Sequence, residues 1–133
     1  MLRLIPLPCP TEPSFPLDHL YLEVVYGPLL GPAAVAVGRH LGRCLAASGK
    51  EPVRVVPVQV ALEVGLRSAS VEPLGRRSHL RHALDRLDHC RLVRWLGPGD
   101  LGILTEVPAL SPSVLSRLPS AARIAHVSFV DSR

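Results

Sequence analysis

Apolar residues along this chain recur at two spacings, and the switches between them mark out its elements. Leu17, Leu20, Tyr21, Val24 and Val25 lie three and four apart, which predicts a short helix from Leu17 to Tyr26 that stops at Gly27-Pro28. A second helix is expected from Pro32, in a first turn that tolerates proline, through Ala47. Ser48-Gly49 ends it, with Gly49 suited to the left-handed cap position. Val37, Leu41, Cys44 and Leu45 share one face of that helix, and Gly38 and Gly42, poor helix formers, suggest a close neighbour.

The spacing then changes. Val53-Arg-Val-Val56 is β-branched and reads as a strand, and Pro57 opens a helix over Val58–Val64 that Gly65 ends. Val71–Gly75 reads as loop. A stronger helix runs from its N-cap Ser78 to Arg91, with Leu80, Ala83, Leu84, Leu87 and Cys90 as its apolar seam. Leu92–Leu96, a four-residue turn Gly97-Pro-Gly-Asp100 and Leu101–Val107 predict a β-hairpin ended by Pro108. Short helices follow at Ser111–Leu118 and Ala121–Val130. Residues 1–16 carry five prolines and predict an extended or disordered leader.

From residue 32 to 107 the order is helix, strand, helix, helix, two-stranded hairpin. That is the order of a winged helix-turn-helix, with the strand at 53–56 added to the hairpin as its third member. The expected fold class is therefore mostly α with a small β-hairpin wing (α+β), a winged helix flanked by N- and C-terminal helices. The expected layout is a leader at 1–16 and one domain at 17–130.

Composition narrows the partners. Aromatics are 4% of the 133 residues, so the core must be aliphatic. The net charge is +4, and all basic residues but Lys50 are arginine, which permits an anionic partner without demanding one. Three widely spaced cysteines, Cys9, Cys44 and Cys90, fit free thiols in a reducing compartment. The apolar start is cut by Pro6 before it reaches signal-peptide length, and no run approaches the ~18 apolar residues of a membrane span. The expectation is a cytoplasmic, nucleoid-associated protein with no membrane partner.

The candidate chemistry lies on the helix at 78–91. At 100° per residue, Ser78, His82, Asp85, Arg86 and His89 point away from the leucine seam. His79 and Arg81 flank them, and Arg76 and Arg77 precede the helix. A helix laid in the major groove reads bases from its first turns, and its N-terminal dipole favours phosphates. The DNA-contact candidates are thus Arg76, Arg77, Ser78, His79, Arg81, His82 and Arg86, with Arg94 in the wing. Duplex DNA is the expected partner; the competing reading is a solvated charged face. Ahead of this helix, Val60-Ala61-x-x-Val64-Gly65-Leu66 has the form of a helix leading into a recognition turn.

The chain resembles the small winged helix-turn-helix proteins of actinobacteria. The resemblance rests on Leu29-Leu-Gly-Pro32, Val60-Ala-Leu-Glu-Val-Gly-Leu66, Gly75-Arg-Arg-Ser78 with Leu80-x-x-Ala-Leu-x-Arg-Leu87, Leu92-Val-Arg-Trp95 and Leu110-Ser-Pro-Ser-Val-Leu-Ser-Arg-Leu-Pro119. It implies a DNA-binding or DNA-associated regulator, and the expected role is regulation of transcription. Two departures stand out: the link from Gly65 to Ser78 exceeds the usual turn by about ten residues, and the hairpin tip carries no cation.

Other constellations are weaker. His79, His82, His89 and Cys90 do not converge on one helical face, and the His40–Cys44 pair has its thiol on the core seam, so neither metal nor cofactor is expected. No GxSxG, phosphate loop or HExxH is present, and an enzyme is not expected. Apolar segments 17–30 and 111–130 are candidates for a homodimer interface, the alternative being that they cover the core of a monomer. The alternative function is a winged-helix protein–protein interaction module that does not bind DNA.

Overall fold

In the computed structural model, which describes residues 1–66 and 72–133, helices and two small sheets form a mixed α/β fold. Position 71 of the expected loop lies outside the described residues. The first strand, β1 (Leu2–Leu7), overturns the expected leader. Leu2 and Leu4 point into the core at 1% and 0% exposure while Arg3 faces out. In the sequence, the proline content of this stretch outweighs that two-residue alternation. Pro6 is tolerated because the strand has a neighbour on only one side there. A second strand, β2 (Ser14–Pro16), follows within the same stretch.

Gly27-Pro28 does not simply end the first helix. Helix α1 (Leu20–Val24) is shorter than expected, and Gly27-Pro28 opens another turn, α2 (Gly27–Leu30), with proline in the first-turn position it tolerates. Helix α3 (Pro32–Ala47) has the expected bounds and Gly49 the expected left-handed conformation. Strand β3 (Val53–Val55), helix α4 (Pro57–Glu63), helix α5 (His79–His89), and strands β4 (Val93–Gly97) and β5 (Asp100–Leu104) come next, in the expected order. The expected second hairpin strand breaks at Thr105. Its remainder, β6 (Glu106–Pro108), pairs with β2, and Ser14 Oγ donates to the Glu106 carboxylate at 2.5 Å. Two helices finish the chain, α6 (Pro112–Leu115) and α7 (Ser120–Asp131).

The larger sheet has the order β3-β1-β5-β4. The expected place of β3 is beside the hairpin; instead β1 lies between them, antiparallel to β3 and parallel to β5. The hairpin turn is also tighter than expected. Gly97 pairs with Asp100, leaving Pro98-Gly99 as the two-residue tip, with Gly99 at φ +75°. Proline followed by a positive-φ glycine is the type II pattern.

Helix α3 is the spine of the core, with Val37 and Leu41 fully buried and Leu45 nearly so. A Cβ on Gly38 would lie 3.1 Å from Leu22 and 3.2 Å from Leu87. One on Gly42 would lie 2.9 Å from the Leu17 Cβ. The two glycines are therefore where α1, α5 and the segment before α1 close onto α3. At one end Phe15 stacks on Tyr21 at 4.3 Å, and Phe129 of α7 meets the pair edge-on. The Tyr21 hydroxyl bonds His126 Nδ1 at 2.8 Å and accepts from the Leu110 N–H at 3.0 Å. Leu17, Tyr21, Leu22, Val25, Tyr26 and Leu30 are all buried, so most of the apolar side chains of segment 17–30 pack into the chain's own core, while Leu20 stays 49% exposed.

Candidate nucleic-acid interface

Helix α5 starts where its sequence allows. Ser78 accepts the Arg81 N–H at 3.1 Å and donates its hydroxyl hydrogen to the Pro73 carbonyl. One side chain thus satisfies an end-of-helix donor and anchors the preceding turn. That turn is closed by Gly75 N–H to Glu72 and Ser78 N–H to Gly75, each at 3.0 Å, which leaves Arg76 and Arg77 at its exposed tip. Leu80, Ala83, Leu84 and Leu87 are buried, with Leu87 seated against Gly38. The helix ends with Arg91 in the left-handed region at φ +62°, its N–H bonded to the Asp88 carbonyl at 2.9 Å.

The outward face divides into free and committed groups. Arg76, Arg77, His79, Arg86 and His89 are exposed. None of the three arginines makes an ion pair with a described residue. His82 is exposed, but its Nε2–H donates to the Arg76 carbonyl at 2.7 Å, so it holds the arginine turn against the helix. Arg81 is half-buried and committed three ways. Its Nε meets Asp85 at 3.1 Å, its Nη1 meets the Leu74 carbonyl at 3.3 Å, and its guanidinium lies 5.3 Å over the Trp95 ring. Ser78 is only 6% exposed and faces inward as the cap.

Arg94 stands apart from this group. Side chains alternate along β4, so Val93 and Trp95 face the helices while exposed Arg94 lies on the opposite sheet face. There it shares a surface with Arg3 and Arg54, which are direct cross-strand partners. Sequence reasoning missed Arg3 and Arg54. The signal was the matching triplets Leu2-Arg3-Leu4 and Val53-Arg54-Val55, each an arginine between apolar residues at strand spacing. Arg3 also supplies the cation that the hairpin tip lacks. Its N–H donates to the Gly99 carbonyl at 2.7 Å and its guanidinium meets Asp100 at 3.3 Å. The tip is thereby fastened to β1.

Among the remaining polar groups, one contact joins α3 to α4. His40 Nε2 lies 3.0 Å from a Glu63 carboxylate oxygen and 3.6 Å from Cys44 Sγ, and burial pushes the Cys44 thiol up from its ordinary range. Cys90 at the end of α5 is pushed up for the same reason. No set of three or more His, Cys, Asp or Glu placed to hold a metal ion occurs among the described residues. No helix among them is long and apolar enough to cross a membrane. The chain matches no family model, no curated protein and no solved structure.

Proposed function

We propose that this chain binds duplex DNA as a winged-helix transcriptional regulator, with α5 laid in the major groove. The observation that carries the reading is the outward face of α5: helical, exposed, and led by a turn holding Arg76 and Arg77, which make no ion pair among the described residues. In this arrangement Arg76 and Arg77 meet phosphates beside the helix N-terminus, where the dipole adds to their attraction. His79 and Arg86 then face base edges, and a forked guanidinium can read guanine O6 and N7. His82 and Arg81 act behind them, one fixing the arginine turn and the other pinning α5 to Trp95. Arg3, Arg54 and Arg94 on the sheet's outer face are a separate basic surface. The order α3, β3, α4, α5, β4, β5 supports the winged-helix assignment, with β1 as an added strand inside the sheet.

The test is selection of bound fragments from a pool of random duplexes. A sequence motif enriched over successive rounds is the expected result, and a pool that is retained no better than by a neutral protein overturns the reading. One observation favours the second reading, an interaction module. Val56, Val58 and Leu62 on and before α4 are 48%, 39% and 59% exposed, an apolar surface that suits a protein partner. Failure of the selection, together with solubility gained by Val58→Ser and Leu62→Ser, would favour that second reading.

A further inference from the structure

Helix α7 covers the aromatic end of the core with one face and leaves the opposite face bare. Ala122 is buried, and Ala125 and Phe129 pack against the core. At 100° per residue, Val127 and Ile124 point the other way, and they are 55% and 69% exposed. Taking Val127 as the centre of that face, Arg123 lies about 40° to one side and Asp131 about 40° to the other. Neither makes an ion pair within the described residues. An apolar centre is thus flanked by one unpaired cation and one unpaired anion, placed symmetrically four residues before and four residues after it.

We infer that α7 is a self-complementary interface that pairs antiparallel with α7 of a second copy of this chain, about a two-fold axis at Val127. In that pairing, residues whose numbers sum to twice 127 share a level along the helices. Val127 meets its counterpart, Ile124 shares a level with the second copy's Val130, and Arg123 lies across the seam from the second copy's Asp131. The symmetry makes that ion pair twice. A parallel pairing would instead set Arg123 against Arg123 and Asp131 against Asp131, so the charge pattern selects the antiparallel orientation. An interface of one helix pair lies at or below the small end of specific contacts, under ~1,200 Å². Association is accordingly weak and concentration-dependent. It is independent of the DNA reading, although a two-fold dimer would present two α5 helices with the symmetry of an inverted repeat.

Sedimentation equilibrium over about 5 to 500 µM tests this, a range that brackets a dissociation constant in the tens of micromolar. The wild-type chain is expected to pass from monomer to dimer. Arg123→Glu alone sets carboxylate against carboxylate at both levels, and Asp131→Arg alone sets guanidinium against guanidinium. Each variant should stay monomeric, with an unchanged circular dichroism spectrum showing that the fold is kept. Mixing the two single variants restores attraction at both levels, so the mixture should dimerise where neither variant does alone. The double variant Arg123→Glu/Asp131→Arg should dimerise like the wild type. A wild-type chain that stays monomeric over the whole range overturns the proposal. So do single charge reversals that dimerise normally, or a mixture that stays monomeric.

Discussion

Replacing Ser78 by alanine removes two interactions at once and leaves a carbonyl and an N–H without their partner. The hydroxyl caps α5 through the Arg81 N–H and holds the Pro73 carbonyl, and the residue is only 6% exposed. Loss of an N-cap costs about 1 kcal/mol. Leaving the shielded Pro73 carbonyl unpaired adds about 1 kcal/mol, at the low end for a buried polar group because the turn can open to water. The sum is ~2 kcal/mol. For a denaturant slope of ~2 kcal/mol per molar, the urea midpoint falls by ~1 M. Equilibrium unfolding followed by the fluorescence of Trp95, the single tryptophan, measures it directly. Ser78→Thr keeps the hydroxyl and should recover most of the loss. A midpoint shift below ~0.2 M for the alanine variant would refute the assignment of Ser78 as a buried cap. A DNA-binding defect in that variant with stability unchanged would make Ser78 a direct contact instead.

Three further outcomes are expected. Gly42→Ala gains about 1 kcal/mol of helix propensity, but its Cβ would sit 2.9 Å from the Leu17 Cβ, a contact with the base of a side chain that cannot swing away. Overpacking of this kind costs about 1–3 kcal/mol, so thermal unfolding should show a net loss where an exposed helix glycine would show a gain. Arg81→Ala removes an ion pair and a cation–π contact with Trp95 worth about 1 kcal/mol together, and it should shift the tryptophan emission maximum in the folded protein. Alkaline conditions should destabilise the fold. Burial raises Cys44, Cys90, Tyr21 and Tyr26 above their ordinary values, so below about pH 8 all four are neutral in both states. As pH rises, the unfolded chain releases these protons first, thiols and then phenols, and each group's contribution is lost as pH climbs toward its folded value. Urea midpoints measured from pH 7 to 10.5 should begin to fall above about pH 8 and keep falling to the end of the range; a flat profile would contradict the burial of these groups.

Elements with a long, single-period pattern were legible in the sequence. The bounds of α3, the Ser78 cap and the leucine seam of α5 follow from helical spacing and capping chemistry alone. The hairpin followed from Gly-Pro-Gly, although only pairing geometry shows that Pro98-Gly99 is the tip. The N-terminal strand was hidden because its two buried leucines are outnumbered by prolines, and a strand inserted between two others depends on partners nearly a hundred residues away. The same long-range pairing decides the site. Arg3 belongs beside the hairpin tip only because β1 lies along β5, and Arg81 is withdrawn from the outer face in part because Trp95 stands beneath it. Helical spacing placed both Arg81 and Arg86 toward solvent. Which of them is free depends on Trp95, in a neighbouring strand, and on Asp85 and the Leu74 carbonyl.

The central claim is that α5 meets DNA through its free arginines, and the salt dependence of binding tests it most directly. With duplexes taken from the selection, fluorescence anisotropy gives affinity as a function of salt for the wild type and for Arg76→Ala/Arg77→Ala/Arg86→Ala. Each lost phosphate contact flattens the log–log slope by about 0.9, so losing those of Arg76 and Arg77 should flatten it by ~1.8, the Arg86 change weakening base contact instead, while the unfolding midpoint is unchanged. Equal slopes for the two proteins, or a wild-type affinity that does not depend on salt, would contradict the account.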